Sequence, residues 1–174
     1  MIVVLMGVCG CGKSTIGRAL AAELDWPFLD ADTLHPQANV VKMAGGIALS
    51  DEDRWPWFDR IVTEMRRHAA AGKHVVIACS ALKQAYRDRL ASGGPVRFVY
   101  LKGNVKTIGP RLVGRTGHFM PASLLESQFA TLEPPGSSEQ PIVADIDASV
   151  EAIVDAIIEQ LALDRPSQNA PAQD

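Results

Sequence analysis

The residues Gly7-Val8-Cys9-Gly10-Cys11-Gly12-Lys13-Ser14 carry the spacing G-x-x-x-x-G-K-S, which suits the holding of a polyphosphate. Glycines at positions 7, 10 and 12 admit backbone conformations and close approaches that a Cβ would forbid, so successive N–H groups can converge on phosphate oxygens. Lys13 would reach the β- and γ-phosphates, and the Ser14 hydroxyl would ligate Mg²⁺. Val8, Cys9, Cys11 and Thr15 complete the stretch expected to surround the nucleotide. The motif specifies a nucleoside triphosphate and says almost nothing about an acceptor.

Such a loop needs a strand before it and a helix after it. Ile2-Val3-Val4-Leu5-Met6 is short, apolar and uncharged, as a fully buried parallel strand should be. Ile16, Leu20 and Leu24, at spacings of four, predict a helix over 13–24, whose N-terminus adds free N–H groups and partial positive charge. Further along, apolar runs alternate with helical segments, so the chain reads as α/β: a three-layer P-loop sandwich around a five-stranded parallel sheet. Strands are expected at 27–30, 74–79, 96–101 and 142–144, and helices at 51–71, 81–90 and 149–163. Gly72 suits the residue after a helix C-terminus. One kinase domain over 1–163 is expected, followed by a disordered Pro/Ser/Gln/Asn/Ala tail over 164–174.

Composition narrows the class. With 174 residues and 47% hydrophobic content, the chain can bury a full single-domain core. A net charge of −3 leaves no basic footprint for nucleic acid, and no apolar run is long enough to span a bilayer. Cys9, Cys11 and Cys79 are too few for a disulfide framework, so a reducing, cytoplasmic setting is expected.

Ligands of open parallel sheets collect at the carboxyl ends of the strands. The second strand ends in Asp30-Ala31-Asp32, which puts Asp32 near the γ-phosphate, where a carboxylate can accept a hydroxyl proton and support the Mg²⁺ water shell. Capping of the next helix is the alternative role for either aspartate, more so for Asp30. Residues 102–120 have little apolar periodicity but carry Lys106, Arg111, Arg115 and His118 among glycines. A lid over about 103–120 would bring Arg111 and Arg115 onto the triphosphate and exclude water; ordinary solvated arginines are the other reading.

Several blocks resemble the gluconokinase family. They are Asp32-Thr33-Leu34-His35-Pro36 with Asn39 and Lys42-Met43, the run 46–57 from Gly46 to Trp57, and Cys79-Ser80-Ala81-Leu82-Lys83 with Tyr86-Arg87-Asp88. Phe98-Val99-Tyr100-Leu101, Gly117-His118-Phe119-Met120, Leu124-Leu125-Glu126-Ser127-Gln128-Phe129 and Leu132-Glu133-Pro134 continue the match in register over roughly residues 1–150. The resemblance implies ATP-dependent phosphorylation of D-gluconate at its 6-hydroxyl, on a fold similar to shikimate and nucleoside monophosphate kinases, in a homodimer. The family usually has serine where this chain has Cys9 and Cys11. The loop's positive field could make these thiols oxidisable; two small side chains tolerated by packing is the simpler reading.

An acceptor of this kind must be held by its carboxylate and hydroxyls with one hydroxyl aimed at the γ-phosphate. Arg54 could offer the carboxylate a bidentate fork. Lys83 and Arg87, four apart on the expected helix, would face the cleft together, and His35, Asn39, Lys42 and His118 could bond hydroxyls. Trp55, Trp57, Met43 and Phe119 read as core packing before ligand wall. The reaction expected is direct in-line transfer, with Lys13, Arg111 and Arg115 balancing charge and Asp32 as general base. A kinase for shikimate, another sugar acid or a nucleotide would share the loop and lid. A P-loop switch is disfavoured, since no Asp-Glu pair follows the third strand and no Asn-Lys-x-Asp motif is present.

Overall fold

The computed structural model describes residues 1–113 and 124–163. Its frame is a five-stranded all-parallel sheet of β1 (Ile2–Met6), β2 (Phe28–Asp30), β3 (Val75–Ala78), β4 (Val96–Lys102) and β5 (Ile142–Asp145), in the order β2-β3-β1-β4-β5. The most apolar strand is central because both its edges and both its faces are covered: every residue of β1 is buried.

Alternation along β1 divides the core. Val3 and Leu5 pack with Ile16 and Leu20 of α1 (Lys13–Leu24) and with Ile153, Val154 and Ile157 of α7 (Val150–Leu161). Ile2, Val4 and Met6 pack on the other face with Phe58, Ile61 and Met65 of α3 (Asp51–Ala70) and Tyr86 and Leu90 of α4 (Gln84–Ala91). Helices on both faces make the three layers expected. Gly72, with φ +65°, ends the long third helix as read from sequence.

Two local readings are corrected. The helix expected from residue 81 begins at Gln84, because Ala81 takes a left-handed φ of +42° and residues 79–83 form a loop whose carbonyls are engaged elsewhere. Ser80 O accepts from the Gly7 N–H, and Leu82 O from the Glu133 N–H. Three helices were not read at all: α2 (Gln37–Ala44), α5 (Val105–Val113) and α6 (Leu124–Thr131). The stretch judged aperiodic thus contributes α5, where Ile108 is fully buried against the core. The rest of the expected lid, 114–120, and the tail over 164–174 lie outside the described residues.

Candidate active site

Strand β1 runs into the phosphate loop, and the loop into α1. Gly7, Gly10 and Gly12 have φ of +141°, +81° and +98°. At Gly7 the space is closed as well: a Cβ would meet Cys11 Sγ and Leu101 O at 2.9 Å each. Gly12 caps α1 without any side-chain bond, which leaves the cap to backbone N–H groups that suit an anion.

Lys13 folds back over the loop and donates from Nζ to Gly7 O and Val8 O, both at 3.0 Å. Burial opposes its charge, but the pull of Cys11, Asp32, Cys9 and Cys79 outweighs it and holds the ammonium above the usual lysine range. Ser14 Oγ donates to Asp30 Oδ2 at 2.8 Å. Asp30 therefore does two jobs. It also caps the 3₁₀ turn Ala31–Leu34 by accepting the Asp32 N–H at 3.2 Å, so the capping role falls on Asp30 and not on Asp32. Asp32 faces the cleft beside Lys13 and Ser14.

The same cleft is also lined by His35, Met43, Leu49, Arg54 and Trp57. His35 stacks on Trp57 with ring centroids 4.0 Å apart. Burial, aided by the Arg54 charge, pushes its pKa down to about 4, so it is a neutral hydrogen-bonding ring at pH 7. Trp57 is both core and wall, and its Nε1–H donates to Ala31 O at 2.7 Å. Arg54 is aimed by a polar network: its Nη1 donates to Tyr86 Oη at 3.1 Å, and Tyr86 in turn donates to Asp51 Oδ1. Lys83 Nζ donates to both Asp51 oxygens at 2.9 and 2.8 Å. Bonds from Lys83 and Tyr86 hold the Asp51 carboxyl below the usual range. A capping box orients the start of α3, with Ser50 and Asp53 bonding each other's backbone N–H.

The expected site residues thus divide. The loop residues, Lys13, Ser14, Asp32, His35 and Arg54 are brought together. Lys42 is spent on Asp53, at 2.7 and 2.8 Å, where it ties α2 to the α3 cap. Lys83 precedes α4 rather than lying on it, and its ammonium is paired with Asp51. Arg87 is a correction: it is buried, with 1% exposure, and donates to Glu139 and to the carbonyls of Ala81, Leu82 and Glu133. It therefore does not face the acceptor. Arg111 donates to Ile146 O at 3.0 Å, just past β5. Arg115 and His118 lie outside the described residues, as does Phe119.

The cysteines are packed. Cys11 and Cys79 are fully buried and Cys9 nearly so, and burial pushes the Cys79 thiol up to about 12. Oxidisable thiols need exposure and thiolate character, so packing is the reading that fits.

Sequence reasoning missed Asp51, Tyr86 and Glu139 as organisers, since their partners lie 32 to 52 residues away. It also gave no role to Gln128, whose Oε1 accepts the Cys9 N–H at 2.6 Å from within the cleft. The quoted Ser127-Gln128 pair was the available signal.

A Mg²⁺ ion prefers hard oxygen donors and keeps much of its shell for water and phosphate. The Ser14 hydroxyl and the neighbouring Asp30 carboxylate are such donors in the same cleft as the loop. No group of three or more His, Cys, Asp or Glu side chains able to cage a metal occurs among the described residues.

A family model described as shikimate kinase matches residues 9–162. The thermoresistant gluconokinase of Escherichia coli K12 is 44% identical over 160 residues, covering 91% of each chain. The unliganded crystal structure of a sugar kinase from Janibacter sp. HTCC2649 is 44% identical with a TM-score of 0.88, over 92% of this chain and 94% of that one. A gluconokinase structure from Sinorhizobium meliloti 1021 has a TM-score of 0.82 at 41% identity, over 92% of this chain and 90% of that one. With the phosphate loop and the Asp32 carboxylate lining one cleft, and with relatives this similar along nearly its whole length, the chain belongs to the gluconokinase family of P-loop kinases.

Proposed function

We propose that this protein phosphorylates D-gluconate at its 6-hydroxyl with ATP, releasing 6-phospho-D-gluconate and ADP. The observation that carries the reading is one cleft lined together by the loop residues Lys13 and Ser14, by Asp32, and by His35 and Arg54. The gluconokinase names of the relatives support the substrate class.

In this reading backbone N–H groups of Gly10, Gly12 and the first residues of α1, Lys13 to Thr15, cradle the phosphates, and Lys13 balances charge on the transferring group. Arg54, aimed by Tyr86, binds the acceptor carboxylate as a fork, and neutral His35 bonds a hydroxyl. Asp32 accepts the proton of the attacking hydroxyl. The new bond joins that oxygen to the γ-phosphorus as the bond to the leaving ADP oxygen breaks, without a phosphoenzyme. Ser14 and Asp30 would hold Mg²⁺ with its waters. The chemistry Mg²⁺ supplies when bound is neutralisation of charge across the β- and γ-oxygens. Arg111, Arg115 and His118 belong to the same proposal as lid groups, as do Lys42 and Lys83 through the carboxylates they hold.

A coupled assay of ADP release across gluconate, its epimers, shikimate and a nucleoside monophosphate tests the acceptor. Turnover led by gluconate is expected; faster turnover of shikimate, or hydrolysis independent of any acceptor, would overturn the assignment. A cytoplasmic homodimer is part of the proposal, checked by sedimentation and fractionation. No helix among the described residues is long and apolar enough to cross a membrane.

A further inference from the structure

One peptide group of the phosphate loop, joining Val8 to Cys9, is held from both ends. Its oxygen, Val8 O, accepts from Lys13 Nζ at 3.0 Å and from the Cys11 N–H at 3.4 Å. Its N–H, on Cys9, donates to Gln128 Oε1. A peptide unit is planar, so turning one end turns the other. A backbone N–H only donates, so the Gln128 atom facing it must be the carboxamide oxygen. A bond donated from that N–H also polarises the carbonyl at the far end, which strengthens its hold on the ammonium. Gly7 and Gly10, at φ of +141° and +81°, flank the segment and leave the backbone there few steric restraints of its own.

We propose that Gln128 is a positioning residue for phosphoryl transfer: from α6 it locks the Val8–Cys9 peptide in the orientation that seats Lys13. The loop supplies its own glycines, lysine and serine locally, yet this one peptide takes its partner from 119 residues away. Without that bond the Cys9 N–H would no longer fix the tilt of the peptide. Val8 O would then lose its set direction toward Nζ. The lysine would keep its charge but lose the geometry in which that charge meets the transferring group. Gln128 thereby links the helix that follows the expected lid segment to the catalytic cation. The inference rests on the kinase reading above and adds to it a residue acting through Lys13.

The test compares Gln128→Met, which keeps length and packing but not the strong acceptor, with Gln128→Ala, wild type and Glu126→Ala, an exposed neighbour on the same helix. In both Gln128 variants kcat is expected to fall about ten- to hundredfold, the scale of a catalytic group displaced by about an ångström. The acceptor KM and the Kd for ADP should stay within about threefold of wild type, the signature of a loss confined to the transfer step. Melting temperature should hold within about 2 °C, and Glu126→Ala should match wild type throughout. A kcat within twofold of wild type in Gln128→Met would overturn the proposal. So would faster turnover, which would make Gln128 an obstruction, or ADP affinity falling in step with kcat, which would make it a general support of the loop. Wild type inactive on gluconate would count against the acceptor assignment alone; the Gln128 ratio is then read with the acceptor that the panel identifies.

Discussion

The two walls of the cleft are built in different ways. On the phosphate side, Lys13 is seated by carbonyls five and six residues away, and glycine conformations shape the rest. On the acceptor side, Arg54 is aimed through Tyr86 32 residues away, Tyr86 is held by Asp51 35 residues away, and the loop behind them is pinned by the Arg87–Glu139 pair across 52 residues. The first wall is shaped mostly within one peptide segment, with Asp30, Ser80 and Gln128 adding single bonds from outside it. The second exists only when the fold does. Damage to the phosphate side should therefore appear in turnover with stability intact, whereas damage to the acceptor side should appear in acceptor KM or in folding.

Asp32 lines the cleft together with both groups, and its removal should have the largest effect. Asp32→Asn keeps size and polarity but removes the proposed base, so kcat should fall about 10²- to 10⁴-fold. The Kd for ADP, measured by titration, should change by no more than about threefold because the loop is untouched. A near-normal kcat would place the base elsewhere.

Arg87 tests the claim that the acceptor side is held by its supports. Arg87→Met leaves Glu139 without its cation and takes one donor away from each of three carbonyls, and the loss of one partner of a buried pair should cost about 3 kcal/mol or more in denaturant unfolding. At low temperature, where the variant is folded, acceptor KM should remain near wild type. A large rise in KM with stability unchanged would return Arg87 to the ligand role that its sequence position suggested.

The same contrast explains what could be read before the structure. The phosphate loop, its strand and its helix were legible because glycine spacing and apolar periodicity are local signals. Asp32, His35 and Arg54 were reachable through strand-end logic and resemblance. Arg87 was misjudged because its spacing from Lys83 assumed a helix that begins three residues later, after the left-handed Ala81. No local pattern marks Glu139 as its partner. Helix α5 escaped because it is only nine residues long and carries Gly109 and Pro110, which read as loop signals.

Arg54 sharpens the comparison from the ligand side. Arg54→Lys keeps the charge but cannot offer a fork, so the acceptor KM should rise about tenfold, equal to about 1.4 kcal/mol. The KM for ATP should stay within about twofold, since the loop does not depend on Arg54. Equal rises in both constants would mean that the walls are not separable.

The smallest effect concerns His35. Its folded pKa of about 4 lies below the ordinary 6.5, so between these values the unfolded chain binds the extra proton. Stability contributed by the neutral ring is therefore complete above pH 6.5 and is lost as pH falls toward 4. The ring is partly open to solvent, which reduces the expected contribution to on the order of 1 kcal/mol. His35→Gln can still hydrogen-bond but does not titrate. The drop in unfolding free energy from pH 7 to pH 4.5 should shrink by about that amount. Asp51, Asp53 and Glu139, whose pKa values are lowered by their partners, lose their own contributions mainly below this window, so they leave the comparison intact. An unchanged pH slope would mean that the imidazole protonates freely in the folded cleft. Arg54 would then share the acceptor wall with a second cation at mildly acid pH, and acceptor affinity would rise there instead of staying flat.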